Sequence, residues 1–196
     1  MTLPLFPLNT VLFPGCTLDL QIFEARYLDM IGRCMKQGEG FGVVSIVDGR
    51  ETGLAAHQHA VLGCEARIVD FQQQDNGLLG IRVQGARRFR VDSSEVLRDQ
   101  LIVGQVQWLE EQPERPLEDE HEDLSALLTA LAEHPMVAAL DMTQGANGQQ
   151  SLSYQLAYLL PFTDQDKLKL LRIDDPEQRL DCVQTLLDGL QGELAG

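Results

Sequence analysis

Apolar and polar residues alternate from Thr17 to Ile22, which puts Leu18, Leu20 and Ile22 on one face. A period of two predicts a half-buried strand. The spacing then changes: Leu28, Ile31, Cys34 and Met35 recur at helical intervals, and Gly38 stands where a left-handed C-cap belongs. Together they predict a helix over 24–37. The β-branched run 41–47 predicts another strand. Residues 64–74 and 78–84 flank Asp75-Asn76-Gly77, a short hairpin signal. Gly85 is expected to break the ladder as a bulge or turn. In 87–91, Phe89 and Val91 share one face, and Arg88 and Arg90 are assigned to the opposite, solvated one. Residues 101–109 read as a further strand with Ile102, Val106 and Trp108 inward. Six or seven strands with one inserted helix predict a twisted, barrel-like antiparallel sheet.

Beyond residue 111 the period changes to helical. Leu124, Leu127, Leu128 and Leu131 mark one helix, and Leu152, Leu156, Leu159 and Leu160 a second, ended by Pro161. Leu168, Leu170 and Leu171 fall in a short third helix. Asp175-Pro176 supplies an N-cap and a first-turn proline for a fourth, carrying Leu180, Val183, Leu186, Leu187 and Leu190. Residues 143–150 read as a loop. The expected fold class is therefore α+β, with a β-rich part over 1–111, an acidic, proline-containing connection over 112–123, and a helical bundle over 124–196.

The first stretch, Leu-Pro-Leu-Phe-Pro-Leu-Asn-Thr-Val-Leu-Phe-Pro-Gly over 3–15, is uncharged and has three prolines. It lacks the basic start of a secretory signal, and its prolines would interrupt a helix. No run of about 20 apolar residues offers a membrane span. The stretch is read as part of the fold: two extended pieces, 3–6 and 10–13, and a Pro14-Gly15 turn. Proline at strand ends or on an edge strand explains the composition.

Charge narrows the function. Fifteen Lys and Arg stand against 30 Asp and Glu, a net charge of −15. The first 111 residues carry 10 and 14 of these, the remaining 85 carry 5 and 16. A nucleic acid or anionic membrane needs a basic footprint, so neither is the expected partner. Arg82, Arg87, Arg88 and Arg90 are the one basic cluster; they are read as a solvated strand face. Cys16, Cys34, Cys64 and Cys182 lie far apart without zinc-ligand spacing and read as free thiols of a reducing, cytoplasmic compartment. His57 and His59 read as loop histidines. Ser45, Ser93, Ser94, Ser125, Ser151 and Ser153 are nucleophiles by type only, since no G-x-S-x-G motif or phosphate-binding glycine loop occurs. Asp174 and Asp175 read as helix-start carboxylates. No catalytic, metal or cofactor residue is assigned.

The opening stretch, followed by Leu-Asp-Leu-Gln-Ile-Phe-Glu-Ala-Arg-Tyr-Leu-Asp-Met-Ile over 18–31, resembles the start of the Lon protease amino-terminal domain. Residues 41–46, 63–71 and 83–91 resemble that family's strand segments, and 154–171 and 179–187 its helical end. The resemblance runs through nearly the whole chain in order, and its first block is the most specific. It implies a PUA-like pseudo-barrel followed by a helical bundle, and a module that binds unfolded or extended polypeptides and works with a protease or chaperone. The ATPase and Ser–Lys protease of those chains follow this domain, and both are expected to be missing here. The implied function is non-catalytic substrate recognition, with no cofactor; which residues touch the polypeptide is not legible in the sequence. The alternative is a PUA-like nucleic-acid module using the 82–90 strand face. The loop 53–60 and the acidic connection match no family pattern.

Overall fold

The computed structural model describes residues 1–56, 58–75, 78–142 and 146–194. Its elements run β1 (Thr2–Leu8), β2 (Thr17–Ile22), α1 (Ala25–Gln37), β3 (Phe41–Asp48), β4 (Gln58–Gln73), β5 (Leu79–Val96) and β6 (Ile102–Trp108). The helices α2 (Glu122–Ala132), α3 (Pro135–Ala138), α4 (Gln149–Leu159), α5 (Asp164–Arg172) and α6 (Pro176–Leu194) follow. The chain divides into two compact units, Met1–Glu110 and Glu111–Gly196.

The first unit holds one six-stranded sheet in the order β2-β5-β4-β3-β1-β6, closed by pairing of β5 with β6. The length of β5 makes closure possible. One of its sides pairs with β4; the other takes β2 along Leu79–Gln84 and β6 along Phe89–Val96. The barrel interior collects Leu3, Leu5, Val44, Phe89, Val91, Ile102 and Val106. The α1 helix covers the unit through Tyr27, Met30, Ile31 and Cys34, and Tyr27 stacks on Phe6 at 3.9 Å between ring centroids. Gly38, at φ 67°, ends α1 and donates its N–H to the Cys34 carbonyl, the C-cap expected from the sequence.

Several expectations are corrected here. The sheet is not wholly antiparallel, because β1 and β3 run parallel, and β2 with α1 forms the crossover such a pair requires. Residues 11–13 are buried but form no strand. The strand β1 is not an edge. It tolerates Pro4 and Pro7 because its neighbours share it: β6 pairs with Thr2 to Leu5 and β3 with Leu5 to Leu8. Each proline therefore has a partner strand on one side only, so its missing N–H costs little. Leu28 and Met35 are exposed, since the buried stripe of α1 is turned one residue toward Tyr27 and Cys34.

The Arg88 assignment is also overturned. Arg88 is fully buried, like Phe89 beside it. The ladder slips here: between Cys64↔Arg88 and Ala66↔Gly85, β5 spends more residues than β4, a bulge that starts at Gly85. The chain leaving β6 continues beside β5. The Leu109 N–H donates to the Arg88 carbonyl at 3.0 Å, and the Arg88 guanidinium donates to the Glu110 carbonyl at 3.3 Å. Gly85 meets the Pro14-Gly15 turn, as its N–H donates to Cys16 O and the Gly15 N–H donates to Gly85 O, both at 2.8 Å. A Cβ on Gly85 would lie 2.1 Å from the Phe13 carbonyl oxygen, so only glycine fits.

In the second unit the acidic stretch is no loose connection. Glu114 accepts the N–H groups of Gln150 and Ser151 at 2.6 and 3.1 Å, capping α4, and the Arg115 carbonyl accepts the Gln149 N–H. Asp175 accepts from Glu177 N at 2.8 Å and pairs with Arg115 at 3.2 Å, so its capping role stands. Arg179, wholly buried, donates to Ser153 Oγ at 2.9 Å, to Tyr154 OH at 3.2 Å and to the Leu170 and Ile173 carbonyls. One guanidinium thereby ties α4, α5 and α6 together. The short α3 was not expected, α4 starts at Gln149 inside the expected loop, and residues 143–145 of that loop lie outside the described ones.

Candidate functional site

The four arginines do not form one face. Arg82 makes two hydrogen bonds to Asp19, at 2.7 and 2.8 Å, and holds that carboxyl below its ordinary range. Arg87 pairs with the buried Glu65 at 3.0 Å and lies 3.9 Å above the Trp108 ring. Arg88 is internal, and Arg90 faces Asp92 at 3.5 Å and Gln107 at 2.9 Å. Each guanidinium is committed within the fold, and the set offers no continuous track for phosphates.

A different surface stands out. Past Ala66 the end of β4 leaves the barrel, and Val69 and Phe71 are more than half exposed. Here β4, the start of β5 and β2 form a three-stranded platform. One cavity of about 580 Å³ lies over it, lined by Leu20, Gln21, Asp70, Phe71, Ile81 and Arg82 among others. A second, about 340 Å³, separates the platform from the end of α1 and is lined by Met35, Val69 and Phe71. Phe71 borders both. Phe23, directly after β2, is also more than half exposed. From the sequence Val69 and Phe71 are strand residues and Met35 belongs to the apolar stripe of the helix; alternation sorts faces and carries no sign that these three are exposed. The helical unit has its own cavity of about 410 Å³, lined by Leu128, Ala132, Val137 and Leu159.

Other candidates are placed as follows. His59 is a strand residue, not a loop one: Nδ1 meets the Ala60 carbonyl at 2.9 Å and Nε2 meets Ser94 Oγ at 3.1 Å. A nucleophile–base contact thus exists, but a backbone carbonyl occupies the place a carboxylate takes in a triad. His57 lies outside the described residues. Ser45 and Ser153 are buried, and Ser153 serves Arg179. Cys16, Cys34 and Cys64 are buried, Cys182 is half-buried, and none is bridged. Burial pushes the Cys34 and Cys182 thiols up, away from reactivity. Among the described residues no group of three His, Cys, Asp or Glu is arranged to hold a metal ion, and no helix is long and apolar enough to cross a membrane.

A mixed α+β protein with a closed six-stranded sheet, an inserted helix and a carboxy-terminal set of helices is the class these features define. The sequence model of the ATP-dependent protease La (LON) substrate-binding domain matches residues 2–189, and the chain belongs to this family. It is similar to the crystal structure of a Lon N-terminal domain protein from Xanthomonas campestris, with 37% identity and a TM-score of 0.76 over 94% of this chain and 98% of that one. The N-terminal domain of Mycobacterium avium complex Lon protease shares the fold, with a TM-score of 0.61 and 18% identity over 93% and 96% of the two chains. The Lon protease of Flavobacterium johnsoniae is 28% identical over 134 residues, 68% of this chain and 16% of that protein's length.

Proposed function

We propose that this chain is a non-catalytic module that captures unfolded or extended polypeptide, handing it to a protease or chaperone. The observation that carries the reading is the apolar platform of exposed Val69 and Phe71 and half-buried Leu20, with the exposed Met35 across the smaller cavity. Exposed apolar residues clustered around a cavity mark a binding site more often than solitary ones do. Membership of a family described as substrate-binding supports it. The module needs no metal or cofactor for this role, and its unbridged cysteines suit the cytoplasm. The nucleic-acid alternative is disfavoured because Arg82, Arg87 and Arg90 each face a carboxylate.

The test is a titration of fluorescent, reduced and carboxamidomethylated lysozyme. Ordering a flexible ligand costs several kcal/mol, so a dissociation constant around micromolar or weaker is expected. Apolar contact should persist at high salt, whereas a charge-driven complex would be screened. Phe71→Ser and Val69→Ser should weaken binding with the fold intact. RNA binding with a steep salt slope would favour the alternative, and ATP-dependent casein degradation by the pure chain would refute the non-catalytic role.

A further inference from the structure

We propose that the polypeptide binds as an added β-strand along the open edge of β2, an inference that rests on the polypeptide-binding reading above. Among the described strands β2 pairs with β5 alone and ends the sheet order. The hydrogen bond from Gly85 N to Cys16 O sets the phase of the ladder, and the register Thr17↔Gln84 to Ile22↔Leu79 continues it without a bulge. Antiparallel strands alternate bonded and non-bonded pairs. Leu18, Leu20 and Ile22 therefore turn their backbone groups toward β5, and Asp19 and Gln21 turn theirs outward. Both outward residues are exposed. Their N–H and C=O groups repeat at the spacing of a strand, so the complementary object is another strand.

Edges that must stay unpaired are defended by lone charges, prolines or bulges. This edge has none of them: β2 contains no proline, its register is regular, and the charge of Asp19 is met by two hydrogen bonds from Arg82. Leu20 and the exposed Phe71 lie beside it over the same cavity, ready for apolar side chains of the incoming strand. Asp70 lines that cavity too, and the net charge is −15, so the occupant is an extended segment that is apolar at alternate positions and neutral or basic between them. Main-chain bonding explains how one site takes unrelated sequences, because every peptide carries the same N–H and C=O groups.

The probe is a fluorescein-labelled peptide of about ten residues with alternating Val and Lys, long enough to span a typical strand. Two isomers carry backbone N-methyl groups on alternate residues, each blocking one edge. Binding to the full chain is measured beside Gln21→Pro, which removes an outward N–H that β5 does not use. The expected result is that one isomer, and the Gln21→Pro variant, lose about tenfold or more in affinity, the scale of one to two lost hydrogen bonds. Amide shifts should centre on Asp19 and Gln21. If Gln21→Pro fails to fold by circular dichroism, the two isomers decide the matter on the unmodified chain. Equal binding of the peptide and both isomers overturns strand addition and leaves the polypeptide-binding reading standing. A concentration-dependent dimer that Gln21→Pro abolishes and the peptide does not dissociate overturns it in favour of a second copy on the edge. No binding of either the peptide or unfolded lysozyme at millimolar concentration removes the functional reading itself.

Discussion

Gly63 and Phe89 face each other across β4 and β5, and the Phe89 ring fills the space a side chain at Gly63 would need. A Cβ there would lie 2.5 Å from the ring and 2.5 Å from the Val43 carbonyl oxygen. Gly42 yields to the same ring, and Trp108 meets it edge-on at 6.0 Å.

Gly63→Ala is therefore expected to destabilise by about 1–3 kcal/mol through overpacking, because the backbone oxygen cannot swing aside as a side chain would. Phe89→Ala leaves a cavity and should cost about 3–5 kcal/mol. Urea unfolding followed by Trp108 fluorescence checks both. Wild-type midpoints in both variants would contradict this packing.

Arg88→Ala should be clearly destabilising, by about 2 kcal/mol or more, since it leaves a void where a fully buried side chain stood and removes the charged donor to the Glu110 carbonyl. Arg90→Ala, on the exposed neighbour, should change stability by less than about 0.5 kcal/mol. Similar urea midpoints for the two variants would return Arg88 to the solvated face that the alternation of the sequence predicts.

Arg179→Met should loosen the helical unit by about 3 kcal/mol or more. It removes the one charged donor shared by Ser153 Oγ, Tyr154 OH and the Leu170 and Ile173 carbonyls, so four hydrogen bonds that join the three helices are lost at once. Hydrogen exchange localises the effect. The prediction fails if the amides of α4 and α6 keep their protection.

The pH dependence of Asp19 follows from its hydrogen bonds with Arg82, which hold its carboxyl below the ordinary value of 3.8. A depressed folded-state value means the pair stabilises the fold above that ordinary value. The contribution fades as pH falls from about 4 through the lowered one. Arg82→Ala should raise the Asp19 midpoint toward 3.8, read from its carboxyl carbon shift in NMR. An unmoved midpoint would mean the pair does not form in solution.

Local signals were legible wherever one element decides its own outcome. The alternation of Thr17–Ile22, the Gly38 cap, the Pro14-Gly15 turn and the Asp175-Pro176 helix start all stand in the structure. Each depends on backbone sterics or on bonds within a few residues, which a short window of sequence contains. The family resemblance rests on these same local blocks.

What the tertiary structure decided is who stands beside whom. Alternation sorts the two faces of a strand but does not tell whether the outer face is wet. Arg88 is buried with Phe89, and its guanidinium reaches the Glu110 carbonyl of the chain leaving β6. Proline content suggested an edge, yet β1 is shared end to end by two neighbours while the proline-free β2 has the open side. Strand order depends on pairings between residues as distant as Thr2 and Gln105, and on a bulge that changes the partner of β5 midway. Such contacts form only when the whole barrel closes, because the energy that selects them comes from burial shared among all its strands.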